Sequence, residues 1–221
     1  MPTATILDYG VGNLMSVRRA FEKCGADVRI SRDPKDVCES ARLVIPGVGA
    51  FGSCMRALEQ NDLSEAVCDF ARTGRPTLGI CVGMQMLFDA SEEFGDHQGL
   101  GLIPGRVIAL PGTTISGVPH KIPHIGWTEI QPSSDAAAGW DATVLARTSP
   151  GTAMYFVHSF TGVPERPEHR LADADYGGRR VSAVVRRDNI FGTQFHPEKS
   201  GEAGLNIIRC FLSLGEGKKS A

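Results

Sequence analysis

Along the first eighty residues, short unbroken apolar runs alternate with stretches whose apolar positions recur every three or four residues. The runs are Thr3 to Asp8, Asp27 to Ile30, Arg42 to Ile45 and Pro76 to Ile80. All four read as strands, and the near-continuous apolarity of Pro76 to Ile80 is what a parallel sheet covered on both faces predicts. Helical spacing runs from about Asn13 to Cys24 and is closed by Gly25. Asp33 followed by Pro34 reads as an N-cap with proline at the first helical position. Ser53 and Asp62 mark two more helix starts, and Gly74 ends the second of these helices. This β-α-β rhythm predicts a doubly wound core.

From Gly99 the texture changes to β segments punctuated by glycine and proline: Arg106 to Leu110, Ile125 to Gln131, Met154 to Ser159, Val181 to Arg186 and Ile190 to Phe195. Pro132 to Thr148, rich in Ser, Ala and Asp, reads as a surface insertion. A last helix is expected from about Glu202 to Leu214, before a polar tail. No internal repeat is visible. The expectation is one α/β domain over 1–221, mostly parallel, with a β-rich C-terminal extension.

Composition agrees with that picture and narrows the function classes. The chain has 221 residues, 42% hydrophobic and 22% charged, enough for a full core. Its 23 basic and 25 acidic side chains give a formal charge of -2 without long like-charge runs, which argues against nucleic acid or an anionic membrane as partner. No signal core or membrane-length apolar run is present, so a cytoplasmic protein is expected. The six cysteines, at 24, 38, 54, 68, 81 and 210, show no CxxC and no close pairing, so reduced thiols are expected. All but Cys81 fall in or beside helical patterns, where buried or half-buried filler is the default reading.

Cys81 differs because an apolar strand runs straight into it and a helix-forming segment follows Val82 and Gly83. That is nucleophile-elbow logic with sulfur: the turn pushes the side chain out at the carboxyl edge of the sheet, and Gly79 and Gly83 remove Cβ atoms that would crowd the bend. A helix N-terminus there favours thiolate, and the Val82 N–H points where an oxyanion would form. The competing reading is a buried structural cysteine.

A nucleophile needs a base, and His196 ends the apolar strand of NIFGTQFHPEKS. Glu198 lies two residues on, so in extended chain both project to one side, with Pro197 forbidding a helix. Glu198 could then orient the imidazole while the other ring nitrogen handles the thiol proton. Gly47, Gly49 and Gly52 satisfy G-x-G-x-x-G, but after the third strand and without a ribose-binding acid at the end of the next one. A tight loop supplying a second oxyanion donor is preferred to a dinucleotide site. His120 and His124 are four apart, but Pro119 and Pro123 preclude the aligning helix, so no metal site is expected. His97 and His169 read as solvated, and His158 as a structural histidine able to line the cleft.

GICVGMQ around Cys81 and QFHPEKS around His196 resemble the two signatures of the class I glutamine amidotransferases, in that family's order and approximate separation. DYGVGN, PGVGAFG, PHIGW and HSF are similar to segments of its histidine-pathway branch, the glutaminase subunits of imidazole glycerol phosphate synthase. Met84 stands where the other branches usually carry histidine. The resemblance implies a flavodoxin-like sheet, L-glutamine as substrate, no cofactor and a (βα)8-barrel cyclase subunit that receives the ammonia. It also implies Cys81 as nucleophile, His196 as general base and acid, and Glu198 as orienting carboxylate. Gln85 and Gly49 would contact substrate, and Asn13, Trp127 and Lys199 would lie near the partner face. A cysteine peptidase or deglycase would share the elbow without PGVGAFG or PHIGW; a silent binding subunit would not need all three triad residues.

Overall fold

The computed structural model describes residues 1–136 and 139–215. The first half follows the expected rhythm: β1 (Thr3–Leu7), α1 (Leu14–Lys23), β2 (Asp27–Ser31), α2 (Pro34–Glu39), β3 (Leu43–Gly47), α3 (Phe51–Gln60), α4 (Leu63–Arg72) and β4 (Thr77–Cys81). Every residue of β3 and β4 is buried, which is why both read as unbroken apolar runs. The Asp33 side chain accepts from the Lys35 N–H and caps α2, with Pro34 in the first turn. α3 starts two residues before the expected Ser53, because its cap comes from outside: the Glu93 carboxylate accepts from the Phe51 N–H at 2.6 Å.

The second half contains α5 (Val82–Gln85), β5 (Phe88–Ser91), β6 (His97–Gln98), β7 (Ile103–Ala109), β8 (His124–Pro132), β9 (Thr152–His158), β10 (Phe160–Pro164), β11 (Arg170–Tyr176), β12 (Arg179–Arg187), β13 (Ile190–Thr193) and α6 (Gly201–Ser213). Four of these strands were not expected. β5 and β6 are too short to show a period. β10 is broken by Gly162 and ends in Pro164. β11 hides its inward face behind a charged letter, since buried Asp173 is bonded by both Arg170 and Arg180.

Nine strands form the main sheet in the order β2-β1-β3-β4-β13-β12-β11-β8-β9. The first five are mutually parallel, a flavodoxin-like 2-1-3-4-5 order, and the rest are antiparallel. A second sheet, β10-β7-β5-β6, packs beside them. The antiparallel part curls: β9, at the far end of the order, returns to the segment after β13. There Tyr155 O accepts from the His196 N–H at 3.0 Å, and the Tyr155 N–H donates to Ser200 Oγ at 3.0 Å.

Two expectations fail. The 132–148 segment is not merely surface, for Trp140, Val144 and Leu145 are buried and the Trp140 indole donates to Leu171 O at 3.1 Å. Its small polar residues masked three apolar anchors. Cys38 is exposed, whereas Cys54 and Cys210 are buried and Cys24 and Cys68 half-buried. The tail from residue 216 lies outside the described residues. Among those described, no helix is long and apolar enough to cross a membrane.

Candidate active site

Cys81 ends β4 in a conformation that L-residues rarely adopt, φ 55° and ψ −112°, and α5 leaves immediately after it. Such a backbone persists only when the surroundings over-determine it. Three glycines do so. A Cβ on Gly83 would lie 1.8 Å from Ile45 O, one on Gly79 2.6 Å from Gly83 O, and one on Gly47 2.4 Å from Gly83 N. Gly79 and Gly83 were expected; Gly47, from the neighbouring strand, completes the set. The helix expected after Cys81 is only the four residues of α5, too short for a substantial dipole. What the turn offers instead is local: the Val82 N–H, at the first helical position, has no intrahelical acceptor.

Strand register brings the second signature alongside. β13 is parallel to β4 with Thr193 opposite Ile80, so Gln194 to His196 emerge next to Cys81. His196 Nδ1 is 2.8 Å from Glu198 Oε1, and the two side chains are 3% and 1% exposed. Residues 197–199 form a 3-10 turn rather than extended chain. Proline is tolerated at its start because the first N–H of a turn needs no partner, and the turn, not a period of two, closes the pair. Burial pushes the His196 imidazole down, but the Cys81 and Glu198 side chains hydrogen-bond it and outweigh that, raising it to about 9. The Cys81 sulfur lies 3.9 Å from Val157 O on β9 and 3.8 Å from Gln194 Nε2.

Cys81, Val157 and His196 line a cavity of about 280 Å³ with Val48, Gly49, Val82, Gln85, Glu93, His158 and Lys199. Gly49 has φ +88°, and no hydrogen bond from the Val48 or Gly49 N–H is present among the described residues. Both donors are free for a ligand. The three glycines of the G-x-G-x-x-G pattern are all used by the protein itself: Gly47 against Gly83, Gly49 for its turn and Gly52 against the His97 ring. Gln85 lines the cavity, yet both its amide hydrogens are engaged, one on Phe160 O at 3.0 Å and one on Gln194 Oε1 at 3.1 Å. Gln194, unassigned from sequence although it sits inside QFHPEKS, thus links Gln85 to the sulfur. Glu93 was also missed, and no local pattern marks it.

His158 faces the cavity and is buried, as is His124. A carbonyl only accepts, so His158 Nδ1 donates to Phe160 O at 2.8 Å. Its Nε2 then accepts from His124 Nδ1 at 3.0 Å, and His124 Nε2 accepts from Thr128 Oγ1 at 2.7 Å. Burial lowers His158 to about 3 and His124 to about 4, so both stay neutral beside His196. His120 lies instead against Tyr176. Among the described residues no group of three or more His, Cys, Asp or Glu could hold a metal. His97 packs on Gly52, and His169, read as solvated, is buried under a surface hollow. Asn13 caps α1, accepting from the Ser16 N–H. Trp127 is 58% exposed and meets the Tyr155 ring edge-on at 6.0 Å, one residue from the backbone that binds His196.

Sheet order, elbow and buried cleft define an α/β protein of glutamine amidotransferase architecture. The solved structure of PurLQS from Thermotoga maritima has this fold, with a TM-score of 0.70 at 19% identity, covering 96% of this chain and 97% of that one. The family model for glutamine amidotransferase class-I matches residues 5–213. Imidazole glycerol phosphate synthase subunit HisH 1 of Legionella pneumophila (strain Lens) is 49% identical over 97% of this chain and 100% of its own length. The HisH subunit of Syntrophotalea carbinolica is 46% identical over 93% of this chain and 97% of its own. The chain belongs to the class-I glutamine amidotransferases and, within them, to the family of imidazole glycerol phosphate synthase HisH subunits.

Proposed function

We propose that the chain, acting as one glutaminase domain in the cytoplasm, hydrolyses L-glutamine to L-glutamate and ammonia and passes the ammonia to a (βα)8-barrel cyclase subunit. There it would enter imidazole glycerol phosphate and an aminoimidazole carboxamide ribonucleotide in histidine biosynthesis, as the names of the relatives suggest. The observation that carries the chemistry is the buried contact of Cys81, His196 and Glu198, the first two of which line one cavity.

Cys81 attacks the side-chain carboxamide carbon, with its proton taken by His196, which Glu198 holds through Nδ1. Negative charge on the carboxamide oxygen is met by N–H groups of Val82 and of the 48–49 loop. His196 returns the proton to the departing ammonia, then activates the water that hydrolyses the thioester. No cofactor or metal enters these steps. Exposed Ile125 and Trp127 on β8 supply an apolar face close to the cleft for the cyclase. Ammonia free in water would protonate and diffuse away, so a sealed contact there serves the transfer.

The test is ammonia release from L-glutamine by Cys81→Ser, assayed with the cyclase and its nucleotide substrate. Loss of at least about 10³-fold is expected; near-wild-type release sinks the mechanism.

A further inference from the structure

Beneath the glycine loop lie two buried side chains that the chemistry above does not use. Tyr9, just past β1, donates its hydroxyl to Pro46 O at 2.5 Å. Cys54, in the second turn of α3, donates its thiol to Val48 O at 3.4 Å. The two side chains also lie side by side, each with its one hydrogen already given to its own carbonyl. Tyr9 is 1% exposed and Cys54 0%, and neither lines the cavity. Alternate carbonyls of one short loop are therefore held from the core side.

In a trans peptide the C=O and the following N–H point in opposite directions. Val48 O bonded down to Cys54 turns the Gly49 N–H the other way, toward the side on which Val48 and Gly49 line the cavity with Cys81. Gly49, at φ +88°, gives this peptide little resistance to rotation of its own. Something outside the loop has to fix its direction.

We propose that Cys54 and Tyr9 are positioning residues that aim the Gly49 N–H at the developing oxyanion above Cys81. The inference rests on the glutamine-hydrolysis reading of the site and adds the means by which its second oxyanion donor is preset. Burial, with a smaller contribution from Glu93, pushes the Cys54 thiol up to about 11, which keeps it protonated and a donor, while Tyr9 is raised as well. The role differs from that of buried filler, which any side chain of similar volume would satisfy.

The experiment compares Cys54→Ala, Cys54→Ser and Tyr9→Phe with the wild-type chain, each reconstituted with the cyclase subunit. Steady-state ammonia release is measured beside alkylation of Cys81 by iodoacetamide, followed by mass spectrometry. Alkylation is a displacement at carbon that develops no oxyanion, so it reports the nucleophile alone. Cys54→Ala should lower kcat for glutamine about 10-fold or more, less than outright removal of a donor, with KM and Cys81 alkylation within about twofold. Cys54→Ser, which keeps a donor, should recover most of the loss. Tyr9→Phe, should Cys54→Ala not fold, is expected to lower kcat in the same selective way. Wild-type kcat in Cys54→Ala, or alkylation falling in step with hydrolysis, overturns the proposal. Failure of the wild-type chain to hydrolyse glutamine would instead overturn the reading on which it rests.

Discussion

The two halves of the main sheet are built under different tolerances. In the parallel half, β3, β4 and α5 approach so closely that Gly47, Gly79 and Gly83 leave no room for a Cβ, and the tightness holds Cys81 at φ 55°. The antiparallel half is looser: β8 buries His124 and Ile130 but exposes Ile125 and Trp127, and β9 gives the cleft the His158 side chain and the backbone oxygens of Tyr155 and Val157. One half fixes the Cys81 sulfur. The other wraps around it and carries an apolar surface outward. Chemistry that depends on a strained angle belongs where backbones lock together, whereas docking needs side chains free of the core.

The difference can be broken by substitution, most severely in the tight half. Gly83→Ala places a Cβ 1.8 Å from Ile45 O and should destabilise the fold by about 3 kcal/mol or more in denaturant unfolding. Gly112→Ala, where nothing lies within 4 Å, should be neutral within about 0.5 kcal/mol. Gly112 lies in the loop between β7 and β8, outside both halves, so equal effects at the two positions would show that the close packing around Gly83 does not set the tolerance.

Next in size is Glu198→Gln, which keeps the shape but removes the carboxylate. Glutamine turnover should fall about 100-fold or more, up to the roughly 10⁴-fold lost when a triad's orienting acid is replaced by its amide. The same change sharpens a pH effect. His196 is raised from its ordinary 6.5 to about 9, so the stability from its charged form is fully present below about pH 6.5 and lost as pH rises to about 9. Unfolding at pH 6 and pH 9.5 should show that loss in the wild type and a smaller one in Glu198→Gln. An unchanged pH difference would remove Glu198 as the charge partner.

The smallest effect on the fold is expected at Trp127, on the open half. Trp127→Ala should leave stability within about 0.5 kcal/mol of wild type but weaken cyclase binding by about 1–2 kcal/mol in a calorimetric titration. Unchanged binding would move the docking face elsewhere.

Cys81, His196 and the flanking glycines were legible because a strand buried on both faces announces its end in the letters themselves. Glu198 was found by its spacing, though a 3-10 turn rather than extended chain closes its contact with His196. Glu93 and Gln194 were not assigned, since nothing near Glu93 signals that it caps a helix over forty residues earlier. The buried anchors of 132–148 were hidden by small polar neighbours, and β11 by acidic residues that distant arginines neutralise.

By itself, then, the sequence determined what local rules govern: the βα alternation, the elbow at Cys81, and the pairing of an imidazole with a carboxylate two residues away. Tertiary structure alone decided which strands become neighbours. The register of β13 on β4 puts His196 beside Cys81, and the curl of β9 closes the cleft over both. The physical reason is range. Backbone preference and hydrophobic period act over a few residues, while register and curl follow from how the twisted strands and helices of the whole chain can bury their apolar faces together.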